Sequence, residues 1–306
     1  MTGLRVTVLG SATPYPAVGN PCSGYLLEGG GVRVWVDAGS GTLGELRRYA
    51  GLAELDAVWI SHLHADHCAD LLTASYGLLY ADVRRDAPLP LFAPPGTADR
   101  LAGFLTNGPD RSPVERAFAF ADLYDGQRIR LGGLTLLTRA VEHGGTKAFG
   151  LRVEAGAGST RAGTGEGTEG AERVVFAYSG DSEPCPALTE LAQGSDLFLC
   201  EADGEGPGHH TPEQAGRTAA DAGAGRLLVT HVGPAVAPDA AVRRAAAVFG
   251  GPVEYAAPGR TFTVTPATGS TPATGSTGST GARGTEGVTR RSRTPGRTRP
   301  SPASSR

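Results

Sequence analysis

The stretch Val58-Trp59-Ile60-Ser61-His62-Leu63-His64-Ala65-Asp66-His67 decides how the remainder of the sequence is interpreted. Its first three residues form a β-branched and aromatic run followed by polar residues, which predicts a buried strand that runs into a loop. The loop places three imidazoles and one carboxylate within six residues. Zinc and similar divalent ions prefer imidazole nitrogens and carboxylate oxygens as ligands. The stretch therefore predicts a metal site at a strand end.

The spacing of these side chains indicates how they divide around metal ions. His62 and His64 are two residues apart, so on an extended backbone both imidazoles point to one side and can bind the same ion. Asp66 and His67 follow as the chain turns, where they can face a second ion. The alternative is a polar loop of surface or core histidines, which is disfavoured because His accounts for only 7 of 306 residues.

The composition is that of a globular protein with one large domain or two small ones. Hydrophobic residues make up 40% of the chain, and no apolar run approaches the length of a membrane span. Because the first residues enter a strand-like segment without a charged leader, we expect a soluble, cytoplasmic protein. The four cysteines show no C-x-x-C spacing and are expected to be reduced and packed: Cys22, Cys68, Cys185 and Cys200.

Charge is divided unevenly along the chain. Residues 267–306 contain seven Arg and one Glu, a net charge of +6, which leaves −9 on residues 1–266 because the whole chain is −3. The acidic body disfavours broad electrostatic binding of a long nucleic acid. We predict a folded domain over residues 1–266, with a low-complexity loop at 155–170, and a disordered Gly/Ser/Thr/Pro-rich tail over 267–306.

Four further Asp or His side chains follow strand-like runs. They are Asp37 after residues 32–36, His143 after the hairpin at 129–138, Asp181 after residues 174–178, and His231 after residues 227–230. Each alone indicates little, since Asp and His are common in turns and loops.

Together with H-x-H-x-D-H at residues 62–67, these four positions resemble the metallo-β-lactamase superfamily, whose members are hydrolases with one or two metals. The resemblance covers about residues 4–265 and implies an α/β fold, a four-layer αββα sandwich. It also implies that Asp37 supports the backbone of the metal loop and is not itself a ligand. Cys68 is expected to pack, because family members use His at the ligand positions.

The resemblance further implies two divalent metal ions, with zinc expected and manganese or iron as alternatives. Asp181 would bridge the two ions and so reduce their mutual repulsion. The implied ligands of the first ion are His62, His64, His143 and Asp181, and those of the second are Asp66, His67, His231 and Asp181.

Two other segments resemble ribonuclease Z-like phosphodiesterases within the superfamily. Residues 199–202 (L-C-E-A) are similar to the H-E-A-T segment of that branch, and residues 208–215 are similar to its G-H-S-T-x-x-x-A segment. The resemblance implies that Glu201 and His209 form a relay that protonates the leaving oxygen, while Asp66 orients or deprotonates the attacking water. His210 stands where the family has Ser, so an exchange of roles between His209 and His210 stays open.

The substrate is expected to be small. Ribonuclease Z enzymes carry a long basic or Gly/Pro-rich arm that binds tRNA, whereas the loop at 155–170 contains one Arg, Arg161, so tRNA binding is not expected. Residues 61–70, 178–181 and 198–202 resemble actinobacterial cyclic-nucleotide phosphodiesterases of the atypical class II type. We therefore expect a metal-dependent phosphodiesterase that converts a 3′,5′-cyclic nucleotide to the 5′-nucleotide.

Several alternatives remain at this point. The superfamily also contains tRNA 3′-processing endonucleases of the ribonuclease Z type and thioester hydrolases of the glyoxalase II type, which share H-x-H-x-D-H. A secreted β-lactamase would need an export signal, and its usual second-site Cys is absent where His231 stands. A non-catalytic metal-holding scaffold is the alternative from outside the enzymes. Relatives often form homodimers, so a homodimer is an expected assembly.

Overall fold

Two β-sheets make up the centre of the part of the chain that the computed structural model describes, namely residues 3–81, 83–104, 106, 110–156 and 173–267. The first sheet contains β1 (Leu4–Gly10), β2 (Gly24–Gly29), β3 (Val32–Val36), β4 (Ala57–Trp59), β5 (Leu89–Ala93), β6 (Phe118–Asp122) and β14 (Thr261–Val264). The second contains β7 (Arg128–Leu131), β8 (Leu134–Val141), β9 (Ala148–Ala155), β10 (Val174–Tyr178), β11 (Leu197–Ala202), β12 (Leu227–Val232) and β13 (Val253–Tyr255).

Helices connect the strands and cover the outer faces of the sheets. They are α1 (Thr42–Leu46), α2 (Ala65–Cys68), α3 (Asp70–Tyr80), α4 (Thr97–Phe104), α5 (Pro186–Ala192), α6 (Pro212–Asp221) and α7 (Pro238–Phe249). Short 3-10 turns lie at Leu52–Glu54 and Val114–Arg116. None of the helices in the described ranges combines the length and the apolar character needed to cross a membrane.

The strand directions explain why polar side chains gather at one edge of the sandwich. The first sheet has the order β14-β1-β2-β3-β4-β5-β6, and β3 to β6 run parallel. The second has the order β13-β12-β11-β10-β9-β8-β7, and β10 to β13 run parallel. Parallel neighbours bring their carboxyl ends together, and ligands of α/β proteins bind in the crevice outside those ends.

Three apolar clusters define the layers. Trp59 and Phe176 lie in the cluster between the sheets. Val58 points to the opposite face of β4, as successive strand residues do, and belongs with Leu71 to the cluster under α1, α3 and α4. The third cluster lies between the second sheet and α5, α6 and α7. Burial of each large apolar side chain contributes about 1.5–3 kcal/mol to the stability of these layers. The predicted four-layer αββα fold is confirmed.

Parts of the sequence predictions fall outside the described residues. The low-complexity loop predicted at 155–170 does so from residue 157 onward, and the tail predicted at 267–306 does so from residue 268. The domain boundary at residue 266 stays a prediction. All four cysteines are free thiols; Cys68 is partly buried, and Cys22, Cys185 and Cys200 are buried, as expected.

Two buried hydrogen bonds join the sheets beneath the polar edge. The hydroxyl of Tyr178, on β10, donates to Oδ2 of Asp37, which follows β3, over 2.8 Å. The hydroxyls of Tyr25, on β2, and Thr230, on β12, lie 2.6 Å apart. The rings of Tyr25 and Tyr178 also meet edge to face, with centroids 5.1 Å apart. These contacts fix the separation of the sheets where the predicted metal ligands project.

The substitution Tyr178→Phe tests this connection, because it removes one buried hydrogen bond to a carboxylate and retains the ring. We expect the free energy of unfolding of the metal-free protein to fall by about 1.5–3 kcal/mol in urea denaturation. Tyr124→Phe is the matched control, since the Tyr124 side chain is exposed. Equal stability of the two variants would contradict a structural role for the Tyr178 hydroxyl.

Candidate metal centre

Asp37 orders the segment that carries the histidine motif. Its carboxylate is fully buried and accepts hydrogen bonds from the Ser61 backbone N–H over 2.7 Å and the Ser61 hydroxyl over 2.8 Å. Nδ1 of His67 lies 2.8 Å from the same carboxylate. The Asp37 backbone is left-handed, with φ of 54°, a conformation that costs a non-glycine residue about 1–2 kcal/mol. The contacts hold this strained residue in the supporting position implied by the resemblance.

The motif segment turns sharply after His64. His64 is extended, and the next four residues form the single helical turn α2, which contains Asp66 and His67. The backbone of Gly39 lies directly against this turn, so that a Cβ on Gly39 would be 2.0 Å from the Asp66 carbonyl oxygen. The Ala38 N–H also donates to the His67 carbonyl over 2.7 Å. The loop after β3 therefore fixes the turn that presents Asp66 and His67.

A first group of ligand-type atoms is formed by His62, His64, His143 and Asp181. One ligand atom from each of them lies within 4.8 Å of the others. Nδ1 of His64 is 3.0 Å from Nε2 of His62 and 3.2 Å from Nε2 of His143. Nε2 of His62 is 3.7 Å from Oδ2 of Asp181. The structure thus brings His143 and Asp181, which are distant in sequence, to the two histidines of the motif.

A second group lies beside the first and shares Asp181 with it. Its members are Asp66, His67, Asp181 and His231, again with one ligand atom each within 4.8 Å of the others. Nε2 of His231 is 3.2 Å from Oδ2 of Asp66 and 3.3 Å from Oδ2 of Asp181. His231 has a left-handed backbone, with φ of 48°. Each of these two groups could hold a cation, and Asp181 belongs to both.

Two buried atoms without a hydrogen bond have the chemistry of a cation site. Nε2 of His67 and Oδ1 of Asp181 are 3.1 Å apart, yet neither forms a hydrogen bond with any described residue. A divalent ion between them would accept the lone pair of the imidazole and neutralise the carboxylate.

The protonation states also suit metal binding. Burial and the neighbouring His67 hold the pKa of His62 well below its usual range, so this imidazole is neutral. Burial alone would raise the pKa of Asp181, but the charges of His231 and His67 outweigh it and hold the pKa well below its usual range. Burial lowers the pKa of His67, while Asp181 and Asp37 raise it by more, so a cation at this ring would replace a proton.

Most ligand-type histidines are held by a second contact through the ring nitrogen that faces away from the cluster. Such contacts fix the tautomer and orientation of a metal-binding imidazole. The pairs are His62 Nδ1 with Ser61 Oγ at 3.0 Å, His64 Nε2 with Thr146 Oγ1 at 3.5 Å, His67 Nδ1 with Asp37 Oδ2 at 2.8 Å, and His143 Nδ1 with the Gly208 carbonyl at 2.7 Å.

Glu201 and His209 form a pair at the edge of the cluster. Glu201 is fully buried at the end of β11, and its carboxylate accepts hydrogen bonds from the backbone N–H groups of Ser182 over 3.0 Å and Asp203 over 3.1 Å. Nδ1 of His209 lies 2.9 Å from Oε1 of Glu201. Burial lowers the pKa of His209, but the bond to Glu201 and its charge outweigh this and raise the pKa to about 9.

The ring of His209 lies against two of the ligand-type histidines, whereas the ring of His210 points into the protein. The His209 centroid is 4.9 Å from that of His143 and 5.7 Å from that of His231, with which it stacks. The His210 ring is buried, with Nδ1 2.5 Å from the Ser182 carbonyl and Nε2 3.2 Å from the Thr218 hydroxyl. The geometry therefore pairs Glu201 with His209 and not with His210.

Cys68 lies outside all three groups of ligand-type atoms among the described residues, the third being Glu201, His209 and His231. Its side chain packs against the apolar cluster under α1, α3 and α4. Burial raises the pKa of the Cys68 thiol to about 11, which disfavours the thiolate that binds metals. The sequence prediction that Cys68 packs agrees with this position, although His67 is its neighbour.

Metal retention tests this assignment of ligands. His143→Ala removes a ligand, so its affinity for zinc should fall by more than the 10- to 100-fold that is typical when an outer contact is lost. After zinc loading and desalting, this variant should therefore retain less zinc than the wild type. Cys68→Ala is the matched control and should retain the wild-type metal content, measured by elemental analysis. Equal metal content in the two variants, or loss in Cys68→Ala alone, would contradict the assignment.

Comparisons with known proteins agree with this fold. The profile of the beta-lactamase superfamily domain matches residues 32–232. Rv1339 of Mycobacterium tuberculosis is 34% identical over 274 residues, which cover 86% of this chain and 93% of that protein. A ribonuclease Z of Mycobacterium bovis is 30% identical over 272 residues, which cover 77% of this chain and 88% of the enzyme.

The protein YhfI is similar to this chain both in sequence and in its solved structure. The probable metallo-hydrolase YhfI of Bacillus subtilis is 28% identical over 277 residues, which cover 84% of this chain and 98% of YhfI. The crystal structure of YhfI superposes with a TM-score of 0.70 at 26% identity and covers 86% of this chain and 100% of that one. The chain belongs to the beta-lactamase superfamily and is a metal-dependent hydrolase.

Proposed function

We propose that this hydrolase is a phosphodiesterase that cleaves a small phosphodiester, with a 3′,5′-cyclic nucleotide as substrate and the 5′-nucleotide as product. The observation that carries the proposal is the buried Glu201 carboxylate, which holds His209 against the ligand histidines. Hydrolysis of such an ester expels a poorly stabilised alkoxide, and a positioned acid lowers that barrier. The pair therefore supplies a positioned acid. The proposed reaction requires such an acid, whereas metal binding alone does not.

Seven residues would hold two divalent ions, for which zinc is the expected metal. When bound, the ions would supply positive charge to the phosphoryl oxygens and Lewis acidity to the attacking water. The residues are His62, His64, His143 and Asp181 at the first site, and Asp66, His67, His231 and Asp181 at the second.

His209 is proposed to donate the proton that the departing 3′-oxygen takes up. Its Nδ1 faces Glu201, which leaves Nε2 as the nitrogen available to a substrate. Because its pKa is raised to about 9, the ring carries a proton at neutral pH. Glu201 fixes the orientation of the ring and stabilises its charge. Asp66, with an exposed fraction of 8%, is proposed to orient or deprotonate the attacking water.

The charge of the chain supports a small substrate. The net charge of −9 on residues 1–266 gives little attraction for tRNA, which proteins bind largely through phosphate contacts. The ribonuclease Z relative keeps a tRNA 3′-processing endonuclease as the second candidate. A substrate panel distinguishes the two, because the endonuclease would cleave pre-tRNA in preference to cyclic nucleotides. A cytoplasmic location and a homodimer stay predictions.

Purified protein should hydrolyse 3′,5′-cyclic AMP, and a chelator should abolish the reaction until a divalent metal is restored. The assay compares cyclic AMP with other cyclic nucleotides, linear dinucleotides, pre-tRNA and a thioester, and it follows product formation by chromatography. Turnover that survives metal stripping would contradict the proposal, as would hydrolysis of the thioester with no phosphodiester cleaved.

The acid role of His209 predicts a dependence on the leaving group. His209→Ala should slow cyclic AMP hydrolysis by about 10²–10⁴-fold, the usual contribution of a positioned acid. Bis-p-nitrophenyl phosphate has a good leaving group, so its hydrolysis should change far less. Metal content of the variant, measured in parallel, must equal that of the wild type. Similar losses on both substrates at full metal content would refute the acid role.

A further inference from the structure

His231 differs from the other ligand-type histidines in its second nitrogen. Four of the five rings contact a hydroxyl, a carboxylate or a carbonyl through the nitrogen that faces away from the cluster. Nδ1 of His231 is buried and has no hydrogen-bond partner among the described residues. An imidazole that binds a cation through Nε2 carries a proton on Nδ1, and a buried N–H without an acceptor is costly. The pattern of the other four rings predicts that an acceptor is nearby.

Asp203 is the carboxylate in position to accept that proton. Oδ1 of Asp203 lies 3.8 Å from Nδ1 of His231, slightly beyond hydrogen-bonding distance. The exposed fraction of the Asp203 side chain is 25%, so rotation of the carboxylate is not blocked by tight packing.

The backbone of Asp203 is fixed, although its side chain can move. Its N–H donates to Glu201 over 3.1 Å, and its carbonyl accepts from the Gly233 N–H over 3.0 Å. A Cβ on Gly233 would lie 2.1 Å from the Asp203 carbonyl oxygen, so this approach requires glycine. The segment after β11 is thus held against the segment that follows β12, and β12 itself carries His231 near its end.

We infer that Asp203 is a positioning residue for His231. When a divalent cation lies at Nε2 of His231, the Asp203 carboxylate accepts a hydrogen bond from Nδ1–H of the same ring. This carboxylate orients the ring and increases the basicity of Nε2. The inference rests on the metal centre proposed above and not on the identity of the substrate.

Metal affinity tests the inference without any activity assay. Zinc-loaded protein is dialysed against increasing concentrations of a chelator, and the retained zinc is measured by elemental analysis. The chelator activity that removes half of the more weakly held zinc should be about 10- to 100-fold lower for Asp203→Ala than for the wild type. Losses of this size are typical when an outer contact of a metal ligand is removed. Asp203→Asn, which keeps an oxygen acceptor, should lose less affinity than Asp203→Ala.

Controls separate this role from a structural one. Asp86→Ala removes an exposed carboxylate that precedes β5, at the opposite edge of the sheet, and should retain zinc as the wild type does. The melting temperature of Asp203→Ala should fall in the zinc-loaded form and stay at the wild-type value in the metal-free form. Wild-type zinc retention, equal losses for Asn and Ala, or an equal fall in both melting temperatures would overturn the inference. None of these readouts depends on whether cyclic AMP is hydrolysed.

Discussion

The buried carboxylate of Asp37 is the contact on which the site depends. It accepts hydrogen bonds from the backbone and side chain of Ser61, contacts Nδ1 of His67, and receives the hydroxyl of Tyr178 from the other sheet. One anion therefore fixes the start of the histidine motif, one ligand ring and the separation of the two sheets. The left-handed backbone of Asp37 shows that this arrangement is maintained against local strain.

The cluster that this framework presents is stable only when its charges are balanced. Asp181 and Asp66 face His67 and His231 with little exposed surface. Without a cation, protons on the imidazoles balance the carboxylates; with one, the same nitrogens become ligands and the protons leave. The Glu201–His209 pair lies at the edge of this cluster, where the bond to Glu201 and its charge raise the pKa of His209 to about 9. The pair is not separate from the cluster, since one ligand-type atom each of Glu201, His209 and His231 lies within 4.8 Å of the others.

The sequence predicted which polar side chains gather at one edge better than it predicted the contacts that position them. His62, Asp181 and His231 follow strand-like runs, and parallel strands place such positions at one edge. The strand β6 was not predicted, because its F-A-F-A-D pattern is decided by pairing with β5. Tyr178 and Asp37 are 141 residues apart, so local sequence contains no information on their contact. The choice between His209 and His210 likewise depended on which of two adjacent rings the fold buries.

The position of metal ions tests the central claim most directly. Crystals of the protein grown with zinc, measured at the zinc absorption edge, should give two anomalous peaks on either side of the Asp181 carboxylate. One peak should be surrounded by His62, His64 and His143, and the other by Asp66, His67 and His231. A single peak away from Asp181, or peaks outside these side chains, would contradict the account.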